Sequence, residues 1–356
     1  MMAKLRFLWR SVIMRNHLFL RGIPMKNRGK LVFAIVFLLF SSINMSFAQS
    51  NVTVQPYFFA RHRNIENAST QKATLENIDR MFWKLSGFDS KGRPATVYML
   101  GTIHIGDDRL FPLPESVMNA FWSAKRVAAE ISSDDMEDIQ SELVYKMMES
   151  MQAADGRNVL DYLTEEEKAT AMALGEEVVT TLSMFEPWVM LQALSTGAYS
   201  KSGLEGVSGI DMYLMQQLAE EEEPWEGLDT LETQIDVLSF GDYDQQLYLL
   251  KGTLDQIVHP ENNDRYISTL YNAYLSGDID AIAKITEEEM TPKEGEMKEF
   301  EEAYYNALMY DRNKAWSQKI AGWIKEGGTT FIFAGCAHFA GNKSVFHYLR
   351  ENGVIE

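Results

Sequence analysis

Two stretches at opposite ends of this chain share one layout, and that layout constrains the fold more than any other feature of the sequence. Val97-Tyr-Met-Leu-Gly-Thr-Ile-His104 and Phe331-Ile-Phe-Ala-Gly-Cys-Ala-His338 are each an apolar, strand-prone run that reaches a Gly-x-x-His. A third run, Arg126-Val-Ala-Ala-Glu130-Ile131, reads as a short buried strand that delivers a glutamate near its end. From Asp134 to about Glu326 almost everything follows helical period. A strand formed by the end of the chain then has to join a sheet begun near its start. The expected fold is mixed α/β (α+β), with a central sheet from N- and C-terminal segments and a large helical insertion over about 134–326.

Local signals support that order. Phe82-Trp-Lys-Leu85 and Ala95-Thr-Val-Tyr-Met-Leu100 flank Asp89-Ser-Lys-Gly-Arg-Pro94, the chemistry of a hairpin turn. Pro114 opens a helix, Thr164 with Glu167 is a capping-box signature, Glu186-Pro187-Trp188 ends one helix and starts another, and Gly209-Ile-Asp-Met begins a further amphipathic stretch. The acidic clusters Glu220 to Glu223 and Glu287 to Glu289 read as solvated helix ends. Apart from the recurring Gly-x-x-His there is no internal repeat. Residues 49–80 show little periodicity and read as a variable lead-in to a domain over 81–356.

The first 48 residues carry eight Lys and Arg and no acidic residue, then an apolar run from Leu31 to Phe40 and a small-x-small ending at Ser46-Phe-Ala48. That reads as a signal peptide with cleavage after Ala48, with an uncleaved anchor as the alternative, and the apolar run is shorter than the roughly 20 residues a membrane span needs. Met25 onward already holds the full pattern and is an alternative start. The expectation is an exported, periplasmic or secreted protein with no stable membrane association after cleavage. Removing residues 1–48 moves the formal charge from −18 to −26, because 25 Lys and Arg then face all 51 Asp and Glu. Such a surface repels phosphate backbones and anionic headgroups, which argues against nucleic acid and peripheral membrane as partners. The lone cysteine, Cys336, excludes an internal disulfide.

If the three strands are neighbours, His104, Glu130 and His338 converge at one end of the sheet, where open α/β sheets bind their ligands. Gly101 and Gly335 would allow close backbone approach and unusual torsions just before each histidine. Two imidazoles and a carboxylate suit a divalent cation with an open water position, and the chemistry implied is hydrolysis. A hydrogen-bonded strand-end histidine with no ligand is the plainer alternative.

The stretch Tyr98-Met-Leu-Gly-Thr-Ile-His-Ile-Gly-Asp-Asp-Arg-Leu-Phe-Pro-Leu-Pro114, followed by Val127-Ala-Ala-Glu130, resembles the opening signature of the TraB/GumN family, and Phe333-Ala-Gly-Cys-Ala-His-Phe-Ala-Gly341 resembles its closing signature. Pro187-Trp188, Gly209-Ile210-Asp211, Gly227-Leu-Asp-Thr230 with Gln234, and Arg312-Asn313 are similar to further pieces of the family, in order. The likeness runs from about Phe82 to Gly353. It implies a compact Tiki/erythromycin-esterase/ChaN-like fold and, for Tiki-like members, cleavage of a protein or peptide substrate dependent on manganese or cobalt-type cations, with zinc possible. Carried onto this chain, it implies that His104, Glu130 and His338 are the catalytic and metal-binding residues. Arg312 matches the family's helix-borne arginine, with a role in orienting Glu130 or stabilising an oxyanion and a surface salt bridge as the alternative. Asp229 stands where the family often has a glutamate; as a shorter carboxylate that either supports the site from behind or is merely structural, it is kept out of the core site.

Three rival readings stay open at this stage. Cys336 lies two residues before His338, on the same face if the strand continues, and would make a thiol hydrolase. His104 could act as general base in a metal-independent esterase, helped by Glu130 and Arg312. The cleft could hold a small molecule, porphyrin or peptide without turnover, although methionines at helical spacing are ordinary core. His62, His259 and His347 have no partners in the sequence pattern.

Overall fold

The computed structural model of the protein describes residues 72–200, 204 and 209–356, so the signal-like segment 1–48, most of the lead-in and His62 lie outside the described residues. Six strands form one sheet: β1 (Thr74–Asp79), β2 (Phe82–Phe88), β3 (Pro94–Thr102), β4 (Arg126–Ala129), β5 (Glu226–Gly227) and β6 (Gly328–Gly335), in the order β1-β2-β3-β6-β4-β5. The first three are antiparallel neighbours, and β3, β6, β4 and β5 run parallel. The last strand of the chain is thus inserted between two of the earliest. Its run of six buried residues, Thr330 to Gly335, fits a central parallel strand covered on both faces. Full burial of Phe331 and Phe333 contributes on the order of 1.5–3 kcal/mol each.

The predicted β2–β3 hairpin forms, with Phe82 opposite Leu100. Its turn is held by the buried Asp89 carboxylate, whose Oδ1 accepts the Lys91 and Arg93 amides at 2.8 Å each while Gly92 takes φ 74°. The lead-in ends in an element that the sequence reading did not separate: Thr74–Asp79 is the edge strand β1. Its sequence, TLENID, lacks apolar alternation because its side chains are mostly exposed, and the backbone ladder to β2 holds it in place.

The helices are α1 (Glu115–Ser123), α2 (Ser133–Ala153), α3 (Glu165–Ala171), α4 (Glu176–Leu182), α5 (Pro187–Ser200), α6 (Ile210–Glu220), α7 (Leu231–Leu238), α8 (Tyr243–Val258), α9 (Pro260–Ser276), α10 (Ile279–Glu289), α11 (Lys298–Tyr305), α12 (Asp311–Glu326) and α13 (Val345–Glu351). The Thr164–Glu167 capping box closes reciprocally at the start of α3, and Pro187 opens α5. The helical insertion is not wholly outside the sheet, since β5 pairs with β4 from the middle of it. Two residues are too few for a periodicity to announce them.

Among the described residues, buried apolar side chains divide into two clusters. The larger wraps the sheet and includes Trp316 and Ile320 of α12, which packs on β2 and β3. The smaller lies among α3, α4, α5 and α8 and contains Val159, Leu182, Trp188, Val189, Leu250 and Leu254. One stripe along α2 serves both, with Met136, Ile139 and Leu143 in the first cluster and Met147 in the second. Among the described residues no helix is long and apolar enough to cross a membrane.

Candidate active centre at the ends of the parallel strands

All four parallel strands end on the same side, and each is followed within a few residues by a side chain of the centre: His104 after β3, Glu130 after β4, Asp229 after β5 and His338 after β6. Helices α6 and α12 bring Asp211, Arg312 and Asn313 to the same place from their first turns.

Glu130 sits at the middle. Its Oε1 accepts the Gly335 amide at 3.0 Å and lies 3.9 Å from His104 Nε2, while its Oε2 accepts Arg312 Nη2 at 2.6 Å. Burial opposes ionisation of this carboxyl, but His338, Arg312 and His104 outweigh it, and Glu130 is held well below the usual carboxylate range. Arg312 is 8% exposed and is not a surface ion pair. Its Nε donates to Asp229 Oδ2 at 2.7 Å and its Nη1 to the Leu308 carbonyl at 2.9 Å. Leu308 belongs to a π-helical turn at Asn306–Tyr310 immediately before α12, the kind of local irregularity that turns up at functional sites. With Nη2 on Glu130 and Nε on Asp229, Arg312 is placed to orient Glu130.

Asp229, left out of the core site on sequence grounds, is buried against that guanidinium. Its carboxylate also accepts Trp316 Nε1 at 2.6 Å and Gln234 Nε2 at 2.9 Å. Burial pushes its pKa upward although Arg312 and Trp316 resist the shift. Its side chain reaches the centre through Arg312 and Trp316, and its amide donates to the Glu130 main-chain carbonyl at 2.8 Å.

The two histidines are mounted differently. His104 is 66% exposed and holds Asp211 Oδ2 through Nδ1 at 2.9 Å, and Asp211 Oδ1 in turn accepts the Thr102 hydroxyl at 2.5 Å. The Asp211 carboxylate, with Glu130 adding to it, lifts the imidazole above its ordinary value against the effect of burial, and water at the exposed ring screens part of that attraction. His338 is buried, lies 4.2 Å from the Trp316 ring and pairs through Nδ1 with Asn313 Oδ1 at 2.6 Å. Burial pushes its pKa down to about 3, so it is neutral at neutral pH and the attraction on Glu130 there comes from Arg312 and His104.

The glycines act through space and not through torsion. Gly335 has φ −48°, and neither it nor Gly101 takes a positive φ, which corrects the expectation of unusual torsions. A methyl group on Gly335 would lie 3.3 Å from His104 Nε2, 3.4 Å from Glu130 Oε1 and 3.6 Å from His338 Cδ2, so its missing side chain is the floor on which the three groups meet. A methyl on Gly209 would collide with the His104 main-chain carbonyl, which is how α6 comes close enough to offer Asp211.

Donor chemistry fits a divalent cation. Each histidine has its Nδ1 hydrogen-bonded to an oxygen acceptor and its Nε2 left over, the arrangement that orients imidazole ligands. Donors at about 2.0–2.2 Å from one ion stand at most about 4.2 Å apart, and His104 Nε2 with Glu130 Oε1 meets that limit at 3.9 Å. As placed, no group of three His, Cys, Asp or Glu side chains among the described residues closes a metal site. An ion there would take the place of the second proton on His104.

Sequence-predicted His104, Glu130, His338 and Arg312 therefore come together. Cys336 does not join them: the chain leaves β6 for a 3-10 turn at Cys336–Phe339, strand alternation stops, and burial pushes the thiol up to about 12. A thiol held protonated is a poor nucleophile, and the turn and the burial together speak against the thiol-hydrolase reading. His259 faces Asp255 and His347 packs edge-on against Tyr348. Sequence reasoning gave no role to Asp211, Asn313 or Trp316. The signal that could have found them is a polar residue on an apolar helix stripe, Asp211 beside Ile210, Leu214 and Met215, and Asn313 in line with Trp316, Ser317 and Ile320.

Comparison with known proteins gives a family match and a set of distant relatives. The TraB/PrgY/gumN family model matches residues 81–356. A protein of Treponema pallidum (strain Nichols) is 29% identical over 285 residues, covering 79% of this chain and 83% of that one. The protein YbaP of Escherichia coli is 23% identical over 261 residues, 71% of this chain and 87% of YbaP. Metalloprotease TIKI2 of Xenopus tropicalis is 23% identical over 320 residues, 78% of this chain but 59% of that longer protein. No solved structure gives a significant match.

Proposed function

Since the chain belongs to the TraB/PrgY/gumN family, we propose that it is an exported, metal-dependent hydrolase of peptide bonds whose centre is His104, Glu130 and His338. The observation that carries this is the meeting of two Nε2-presenting imidazoles and an ionised carboxylate around the missing side chain of Gly335. Distant similarity to a protein named as a metalloprotease points to the same class. Export rests on the basic and apolar N-terminal segment, and the substrate would then be a protein or peptide outside the cytoplasm.

His104, Glu130 and His338 would hold a divalent cation of the manganese, cobalt or zinc type, which would supply Lewis acidity and lower the pKa of bound water. The protein's own part is to have the ligands ready. Arg312 and the Gly335 amide hold both oxygens of Glu130 in one orientation, Asp211 turns His104 Nε2 toward Glu130, and the Trp316 wall keeps water from one face of His338. His104, as the exposed member, is the group a substrate meets first.

Metal content of the purified protein, beside His104→Ala and His338→Ala, tests the reading together with hydrolysis of a peptide library. Near-stoichiometric manganese, cobalt or zinc in the wild type, absent from both variants, is the expected result. Failure of the wild type to take up any of these ions sinks it, and hydrolysis that survives exhaustive chelation moves the chemistry to a metal-independent mechanism.

A further inference from the structure

We infer, extending the hydrolase reading, that Asn313 is a positioning residue that selects the tautomer of His338. A carboxamide has two ends of similar shape, and its orientation is decided by what each end meets. Asn313 Nδ2 stands 2.9 Å from the main-chain carbonyl of Lys343, which can only accept, so the amino end faces that carbonyl. The carbonyl end, Oδ1, then faces His338 Nδ1 at 2.6 Å and can itself only accept. The hydrogen between them belongs to Nδ1, and Nε2 keeps its lone pair.

The relay starts from an acceptor that cannot reverse. Lys343 adopts the left-handed conformation, with φ 62°, in the short loop between the 3-10 turn and α13, and it is its main chain that reaches Asn313. Its ammonium lies elsewhere, 4.3 Å from the centre of the Tyr310 ring. Asn313 and His338 are both buried, so no water competes for the amide and an unpaired end would be costly. The Trp316 ring against the imidazole opposes the ring flip that would exchange the two nitrogens. His104 has its Nδ1 hydrogen held by a carboxylate on an exposed ring; His338 achieves the same with a neutral amide in a buried one.

The test reads the tautomer directly, in metal-free 15N-labelled protein at neutral pH, by imidazole proton–nitrogen correlation with His338→Ala to assign the signal. Wild-type His338 is expected to carry hydrogen on Nδ1 and none on Nε2. Asn313→Leu, close in shape but without an acceptor, is expected to populate the Nε2-protonated form and to weaken manganese binding by roughly 10- to 100-fold. Lys343→Gly, which keeps the carbonyl and suits the left-handed φ, is expected to change neither. Hydrogen on Nε2 in the wild type, or an unchanged Nδ1 signal in Asn313→Leu, overturns the assignment, and the wild-type spectrum decides even where a variant fails to fold. A wild type that shows the predicted tautomer, loses it in Asn313→Leu and binds no metal keeps Asn313 in its role while the metal-dependent reading falls.

Discussion

His104 and His338 end strands that lie side by side, follow the same Gly-x-x-His spacing and hold their Nδ1 on an oxygen acceptor, yet their surroundings are opposite. His104 is open to solvent and belongs to an ionic chain of Asp211 and Thr102. His338 is sealed between Trp316 and Asn313, in a chain that carries no charge. Identical motifs therefore become different instruments: a solvent-facing group that tolerates charge, and a fixed neutral donor that does not. The difference comes from what packs behind each ring, α6 in one case and α12 in the other.

The severest way to break this comparison is to remove the cation that holds the carboxylate standing between the two histidines. Arg312→Ala leaves Glu130 and Asp229 buried without their shared cation, and a loss of about 3–5 kcal/mol is expected from chemical denaturation midpoints. A stability close to wild type would mean that Arg312 does not hold the centre together.

Next in size is the contrast between the histidines themselves. His338→Ala opens a cavity beside Trp316 and orphans Asn313 Oδ1, for about 2–4 kcal/mol, whereas His104→Ala at its exposed position costs about 1 kcal/mol or less. The pH dependence separates them further in metal-free buffer. Unfolded His338 takes up a proton as pH falls through about 6.5 while the folded ring resists to about 3, so stability drops on acidification across that window and the drop is shallower in His338→Ala. His104 is shifted upward, so its contribution is complete below its unfolded value and fades as pH rises through its folded one. Parallel pH curves for the two variants would erase the distinction.

The smallest effect on the fold is expected at Gly335→Ala. Its φ of −48° suits any residue and the new methyl meets its neighbours at 3.3 to 3.6 Å, so the stability cost is about 1 kcal/mol or less. Hydrolysis and metal uptake are nevertheless expected to fall sharply, because the methyl occupies the floor of the centre. Activity at the wild-type level would place the reacting site elsewhere.

Much of this was legible before any coordinates. The hairpin was written in Asp89-Ser-Lys-Gly-Arg-Pro94, and the return of the last strand to the sheet was written in the repeated motif. His104, Glu130 and His338 were legible because each ends an apolar run, and Arg312 because it resembles a family position. The edge strand β1 was hidden, since an edge strand bonds through its backbone and needs no apolar alternation. β5 was hidden because a strand of two residues has no period, and Asp229, set aside on sequence grounds, meets a partner 83 residues away along the chain.

The sequence by itself determined that strand-end histidines from both ends of the chain share one sheet, because hydrophobic periodicity is a local property and a buried strand must find neighbours. Only the tertiary structure decided what stands behind each histidine. Asp211 and Asn313 lie 107 and 25 residues along the chain from the rings they hold, and the Lys343 carbonyl, 30 residues from Asn313, acts through that side chain. Hydrogen-bond partners at that range are selected by packing, by which helix face a sheet buries and how closely a glycine such as Gly209 lets it approach, and packing is not written in any window of the sequence.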